Sequence, residues 1–214
     1  MVEKKETFRK KSKRKSTVKA ASTPYKFGEA RFTKGSLMIM PKVSSERRDY
    51  IPLGYFDSDI VVMDKAFPIY NAEPMLFSVL SSKMKMAWIK TVSGRLKSDY
   101  SYSSSICYNT FPFPSISERR KDELTQCTLA ILDERAKHSE KTLAELYDPD
   151  KMPEGLREAH HQNDLAVERC YRSTPFSSDE ERLEYLFKLY EKMIQEEKDK
   201  NTLFEKEKKK KKKK

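Results

Sequence analysis

The sequence predicts an α+β protein: a small mixed strand/helix domain followed by a small all-helical C-terminal domain. Three observations carry that prediction. Between residues 36 and 70, apolar residues alternate in short runs separated by turn-forming residues, the signature of strands. From residue 117 onward, apolar residues recur three or four apart, the signature of helices. Between them lies Phe111-Pro112-Phe113-Pro114, whose prolines impose a rigid extended break, and the domain boundary is placed there. On this reading residues 1–20 are a basic segment, 21–115 the mixed domain, 116–197 the helical domain and 198–214 a charged, lysine-rich tail.

The elements follow in order. Residues 1–20 (MVEKKETFRKKSKRKSTVKA) offer no face to bury and read as a flexible arm, or as a helix that docks only on a larger partner. Leu37, Ile39 and Pro41 alternate with Met38 and Met40, a strand, and Ser44–Asp49 is a turn-rich stretch. Tyr50–Phe56 is a strand closed by the turn Asp57-Ser58-Asp59, and Ile60–Met63 and Ala66–Ile69 are two more short strands. Leu76, Val79, Leu80, Met84, Ala87, Trp88 and Val92 share one face of a helix over 75–92, which Ser93-Gly94 ends. Trp88 is a core residue on that reading.

Beyond the break, Ser117 caps a helix bearing Leu124, Cys127, Ile131 and Leu132. Thr142 begins a short turn with Leu143, Leu146 and Tyr147, and Asp148-Pro149 stops it. Pro153 suits a first helical position ahead of Leu156, Ala159, Asn163, Ala166, Val167 and Cys170. Ser178 and Glu181 have capping-box spacing before an amphipathic stripe of Leu183, Leu186, Phe187, Tyr190, Met193 and Ile194, the core of a small bundle.

Charge separates these parts. The formal net charge is +11, which points to a polyanionic partner. Residues 1–20 carry a net +7, residues 21–117 a net +4, residues 118–207 a net −7, and the final seven lysines +7. A nucleic-acid surface therefore belongs to the first half. The three cysteines, Cys107, Cys127 and Cys170, form neither a disulfide framework nor a zinc knuckle. No run of about 18 apolar residues exists to cross a membrane, and the basic N-terminus lacks the apolar stretch of a secretory signal. A reduced, cytosolic chain is expected. The pair His160-His161 has no third ligand or cofactor loop nearby in the sequence and reads as structural or surface histidine.

Three stretches are distinctive together: PKVSSERRDYIPLGYFDSD at 41–59, MAWIKTVSGRLKSDYSYSSSICYNTFPFP at 86–114, and LAELYDPDKMPEGLREAHHQNDLAVERCY at 143–171 followed by FSSDEERLEYLFKLYEKM. In that order they resemble the end of MmeI-like (type IIL) restriction–modification enzymes. In that family one polypeptide carries a nuclease, an S-adenosylmethionine-dependent adenine methyltransferase, a target-recognition domain and a small helical C-terminal domain. The resemblance covers roughly residues 7–195 and assigns 21–115 to target recognition.

The catalytic motifs are missing. There is no glycine-rich cofactor loop after a strand and no Asn-Pro-Pro-aromatic tetrapeptide to meet a flipped adenine. Asn109-Thr110-Phe111-Pro112 lacks the paired prolines and belongs to the recognition region. No catalytic, cofactor-binding or metal-ligating residue is therefore assigned. Whether the chain itself works as part of an enzyme is left open. The expected partners are double-stranded DNA and a catalytic methyltransferase domain, in cis before Met1 or as a separate polypeptide, with S-adenosylmethionine bound there.

DNA contacts divide into phosphate contacts for register and base-edge contacts for sequence. Lys42, Ser44, Ser45, Arg47 and Arg48 cluster around a turn and suit phosphate oxygens. In Arg95–Tyr102, an extended chain projects Lys97 and Asp99 from one face. Lysine donates to guanine O6 and N7 and aspartate accepts from cytosine N4, so the pair suits a single G·C base pair. In MmeI-like enzymes the two positions flanking this serine vary with the base recognised, and the resemblance assigns Lys97 and Asp99 that role. Arg95, Tyr100 and Tyr102 are either phosphate contacts or packing residues. The competing readings are a stand-alone DNA-binding protein, a non-functional split-gene remnant, and a basic RNA- or ribosome-associated protein.

Overall fold

The computed structural model describes residues 2–26, 35–56 and 60–211, with side chains described to residue 200. The chain divides into two compact units, residues 1–34 with 58–61, and residues 35–57 with 62–214. In the first, the basic segment is helical: α1 (Val2–Lys10), α2 (Lys15–Lys19) and a 3-10 turn at Ala20–Ser22. Arg9 folds the helices back on each other by donating to the carbonyls of Ala20 (2.9 Å) and Thr23 (3.2 Å).

The second unit is mixed. Strand β1 (Leu37–Pro41) lies between β3 (Gly54–Phe56) and β4 (Ala66–Tyr70) in an antiparallel sheet. A second antiparallel sheet runs β2 (Val43–Ser44), β6 (Asp99–Ser101), β5 (Gly94–Leu96). The predicted strand at 50–56 shortens to its last three residues, and Ile60–Met63 forms no strand. The predicted turn at 57–59 lies outside the described residues.

The helix predicted over 75–92 is two: α3 (Pro74–Leu80) and α4 (Lys83–Val92). The break has a local cause. Ser82 adopts φ −96°, ψ 161° and its side chain caps α4 by accepting from the Lys85 N–H, while Ser81 Oγ donates back to the Phe77 carbonyl. A π-helical turn at Ser104–Tyr108 follows the second sheet.

The later helices start where their caps predict. Ser117 caps α5 (Glu118–Ala136), Thr142 and Glu145 form a capping box on α6 (Leu143–Leu146), and Pro153 immediately precedes α7 (Glu154–Tyr171). At α8 (Asp179–Lys211), Ser178 Oγ accepts from the Glu181 N–H, but the Glu181 carboxylate reaches back to Ser177 instead of Ser178.

Two apolar clusters hold this unit, and each mixes residues from both sides of Phe111–Pro114. One joins Met38, Leu53 and Phe77 to Ile131, Leu146 and Leu156. The other joins Val79, Trp88 and Phe111 to Leu124, Val167 and Leu186. Trp88 is buried against Phe111, Phe187 and Tyr190, the core role expected for it. The Phe-Pro-Phe-Pro segment belongs to no helix or strand, yet Phe111 is buried in the second cluster and so the segment is part of the packing.

Candidate nucleic-acid interface

β5 and β6 make a hairpin whose two-residue turn is Lys97-Ser98. Lys97 sits at φ 58°, in the left-handed region where a Cβ is crowded and glycine or asparagine is the ordinary choice. It is therefore not in a strand, and the alternation that placed Lys97 and Asp99 on one face does not apply. The two flank Ser98 at the exposed tip instead, with Lys97 exposed and Asp99 half-buried at the first position of β6.

Register settles which way the neighbours face. Arg95 pairs with Tyr100, and Tyr100 with Ser44. Directly opposed residues share a face. Tyr100 and Ser44 are buried, so this face looks inward. The Arg95 guanidinium lies 4.1 Å over the Tyr100 ring, donates to the Ser98 carbonyl at 2.8 Å and pairs with Glu46 at 3.6 Å. These contacts brace the turn. The other face carries Leu96 and Asp99, opposed to each other, and, one row on, Gly94, Ser101 and Val43.

Several predicted phosphate contacts need correction. Ser44 is buried with its hydroxyl closed to solvent, so it is a packing residue; Tyr100 and Tyr102, for which the sequence leaves both roles open, are also buried and pack. Lys42 is half-buried with its ammonium 4.8 Å over the Phe67 ring. Ser45 Oγ accepts the Arg47 N–H, and the Arg48 N–H donates to the Ser45 carbonyl, which shapes the turn. Arg47 is exposed but paired with Asp150 at 2.5 Å. Acidic residues of the helical half thus reach basic residues of the first half. Arg157 reaches Asp49 (3.7 Å), Lys121 reaches Glu73 (2.8 Å) and Lys90 reaches Asp179 (2.9 Å) across the same boundary.

Lys85 and Arg135 are buried polar groups that the sequence reading gave no role. Lys85 is fully buried in α4, donates to the Cys107 carbonyl and stands among four rings, the nearest Phe111 at 4.1 Å. Burial pushes its ammonium down to about 7. It ties the segment after the hairpin to the helix. The one signal in the sequence is a lysine inside the run Met84-Lys85-Met86.

The second belongs to a network across the boundary. Arg135 of α5 donates to the Leu53 carbonyl (2.7 Å) and to the Tyr147 hydroxyl (2.9 Å), and that hydroxyl meets His160 Nε2 at 2.7 Å. His160 stacks on Tyr50 at 4.1 Å, and the Tyr50 hydroxyl donates to Asp164 at 2.6 Å. Burial, with the Arg135 charge behind it, pushes the His160 imidazole down to about 3, so it is neutral at ordinary pH. His160 is structural and His161 is exposed.

Residues 1–115 match the family model of the MmeI target recognition domain, and residues 116–196 that of the MmeI C-terminal domain. Over 187 residues the chain is 49% identical to DNA methyltransferase A of Bacillus subtilis (strain 168), an alignment covering 87% of this chain and 21% of that protein. Its fold is similar to that of the type IIL restriction–modification enzyme MmeI, solved in complex with DNA. The TM-score is 0.83 at 37% identity, covering 91% of this chain and 26% of that one. The chain thus spans about a fifth of the one relative and about a quarter of the other. It belongs to the MmeI family, of which it carries the target-recognition and C-terminal domains.

Proposed function

We propose that this chain reads a specific DNA sequence for a restriction–modification methyltransferase, with the hairpin tip as the base reader. The observation that carries the reading is Lys97. A lysine in the left-handed region costs about 1 kcal/mol that glycine avoids, and such local strain is a reason to look for function. Its side chain is exposed beside Asp99, at a turn braced by Arg95. Lys97 donates to guanine O6 and N7, and Asp99 accepts from the N4 of the paired cytosine.

Arg47 is the backbone contact in this reading. Its pair with Asp150 is exposed on both sides and screened by solvent, so a phosphate displaces the carboxylate at little cost. Lys42, Ser45 and Arg48 flank it. The methyl transfer itself belongs to a catalytic domain that binds S-adenosylmethionine and modifies adenine, in the same polypeptide or a partner, in the bacterial cytoplasm. The likeness to DNA methyltransferase A and to DNA-bound MmeI supports this.

The test starts with selection of bound duplexes from a randomised pool, which yields the preferred site. Lys97→Glu with Asp99→Arg is then expected to change the base preferred at one position and to leave overall affinity roughly intact. Uniform weakening at all sequences refutes the reader assignment. Binding without any selected sequence refutes the proposed function as a whole.

A further inference from the structure

The outer face of the hairpin holds a residue that neither the fold nor the proposed Lys97–Asp99 pair uses. Leu96 is 57% exposed at the last position of β5, next to the tip. Its cross-strand partner is Asp99, so it gains no apolar pair from the register. Arg95 cannot cover it, because Arg95 is held on the opposite face by Tyr100 and Ser98. β5 is also the edge strand of its sheet. Edge strands are ordinarily protected by charge or proline, and an exposed leucine there invites unwanted pairing. A single exposed apolar residue is common on any surface. This one shares the solvent face with Asp99; the next row holds Gly94, with no side chain, Ser101, with a short one, and Val43 beyond it on the far strand.

Given the reader role proposed above, we propose that Leu96 is a specificity-determining residue that recognises the C5-methyl group of a thymine next to the base pair read by Lys97 and Asp99. The chemistry follows from the groove. A base pair's major-groove edge presents hydrogen-bonding groups everywhere except at the thymine methyl, the one apolar feature available to an aliphatic side chain. Leu96 and Asp99 leave the same face of one two-stranded ribbon. A ribbon of that width enters the major groove, so a carboxylate aimed at one base pair places the leucine against a neighbouring one. Leu96 then covers its exposed surface only when the correct base is present.

The experiment uses the selected duplex, with each thymine replaced in turn by uracil, which removes one methyl and no hydrogen-bonding group. Equilibrium binding is measured for the unsubstituted chain, Leu96→Ala and Leu96→Ser. One thymine-to-uracil change is expected to weaken the unsubstituted chain about fourfold, the value of burying one methyl-sized group. Leu96→Ala is expected to bind the thymine duplex more weakly and to be indifferent to the same replacement. Thermal unfolding of both variants is expected to match the parent, since the side chain is exposed. Three outcomes overturn the proposal: no uracil replacement is felt, Leu96→Ala stays sensitive to the replacement that the parent feels, or both variants weaken binding to every sequence alike. Each can occur while the Lys97–Asp99 swap still shifts base preference, so this proposal fails separately from the reading it rests on.

Discussion

Asp164→Asn is expected to abolish a loss of stability that the chain undergoes between about pH 4 and pH 7. Asp164 lies buried on α7, where it accepts from the Tyr50 hydroxyl at 2.6 Å and from the Lys83 N–H at 2.7 Å. Both hydrogen bonds favour the carboxylate, but burial opposes it more strongly, and the group is pushed up from 3.8 to about 7. Between those values the folded chain holds a proton that the unfolded chain has released. Stability is therefore fully present below about pH 4 and falls as pH rises to about 7. A displacement of about three units corresponds to roughly 4 kcal/mol between the two limits, and about 3 kcal/mol of it falls between pH 5 and pH 8. That is a large share of the roughly 5–15 kcal/mol by which domains are stable. Asparagine keeps an acceptor for the Lys83 N–H and does not titrate. The assay is urea unfolding at pH 5 and pH 8, followed by fluorescence of Trp88, the chain's one tryptophan, which is buried in the second apolar cluster. Every other titrating group is common to both proteins, so the difference between them isolates this carboxyl. The parent is expected to gain about 3 kcal/mol on the variant in going from pH 8 to pH 5. An unchanged difference, or a parent that gains on the variant as pH rises, refutes the reasoning.

Tyr147→Phe removes the hydroxyl that Arg135 and His160 share and leaves a buried guanidinium with fewer acceptors. A loss of about 2 kcal/mol is expected in urea unfolding, nearly the same at pH 5 and pH 8 because His160 is neutral across that range. Lys97→Gly is expected to raise stability by up to about 1 kcal/mol, since glycine accepts the left-handed backbone, while discrimination at one base pair falls. Calorimetry and binding to matched and mismatched duplexes check the two halves. A variant that is less stable and equally selective contradicts both.

What the sequence disclosed and what it hid follow from the range of the forces involved. Helix starts at Ser117 and Thr142 are legible because capping involves only residues three apart. Pro153 marks its helix through its fixed φ, and stands one residue before the first helical position expected for it. The break at Ser81-Ser82 is not legible, because Leu76, Val79, Met84 and Trp88 keep one apolar stripe across it. The residues that make the break are small and polar, equally at home on a helix or at its cap. The sequence marks the hairpin residues as one segment, but not their geometry. A left-handed lysine has no signature in sequence, and a pairing such as Leu96 with Asp99 depends on the turn between them. Arg47 with Asp150 was out of reach for a simpler reason, as the partners are 103 residues apart.

The opposite charges of the two halves invite the view that electrostatics joins them, and the structure argues otherwise. Arg47–Asp150, Arg157–Asp49 and Lys121–Glu73 are all substantially exposed, and solvent screening leaves such pairs little to contribute. The join rests on the two apolar clusters and on the buried set of Arg135, Tyr147, His160 and Asp164, none of which added salt reaches. The surface acids then have a different consequence. By occupying Arg47 in the turn at Ser44–Asp49, Asp150 lowers the attraction of that one site for DNA of any sequence, since a phosphate there must first displace the carboxylate. Lys97 at the tip forms no ion pair among the described residues. Under the proposed function, this arrangement trades non-specific affinity, which comes from phosphates, for the contacts that distinguish one base pair from another.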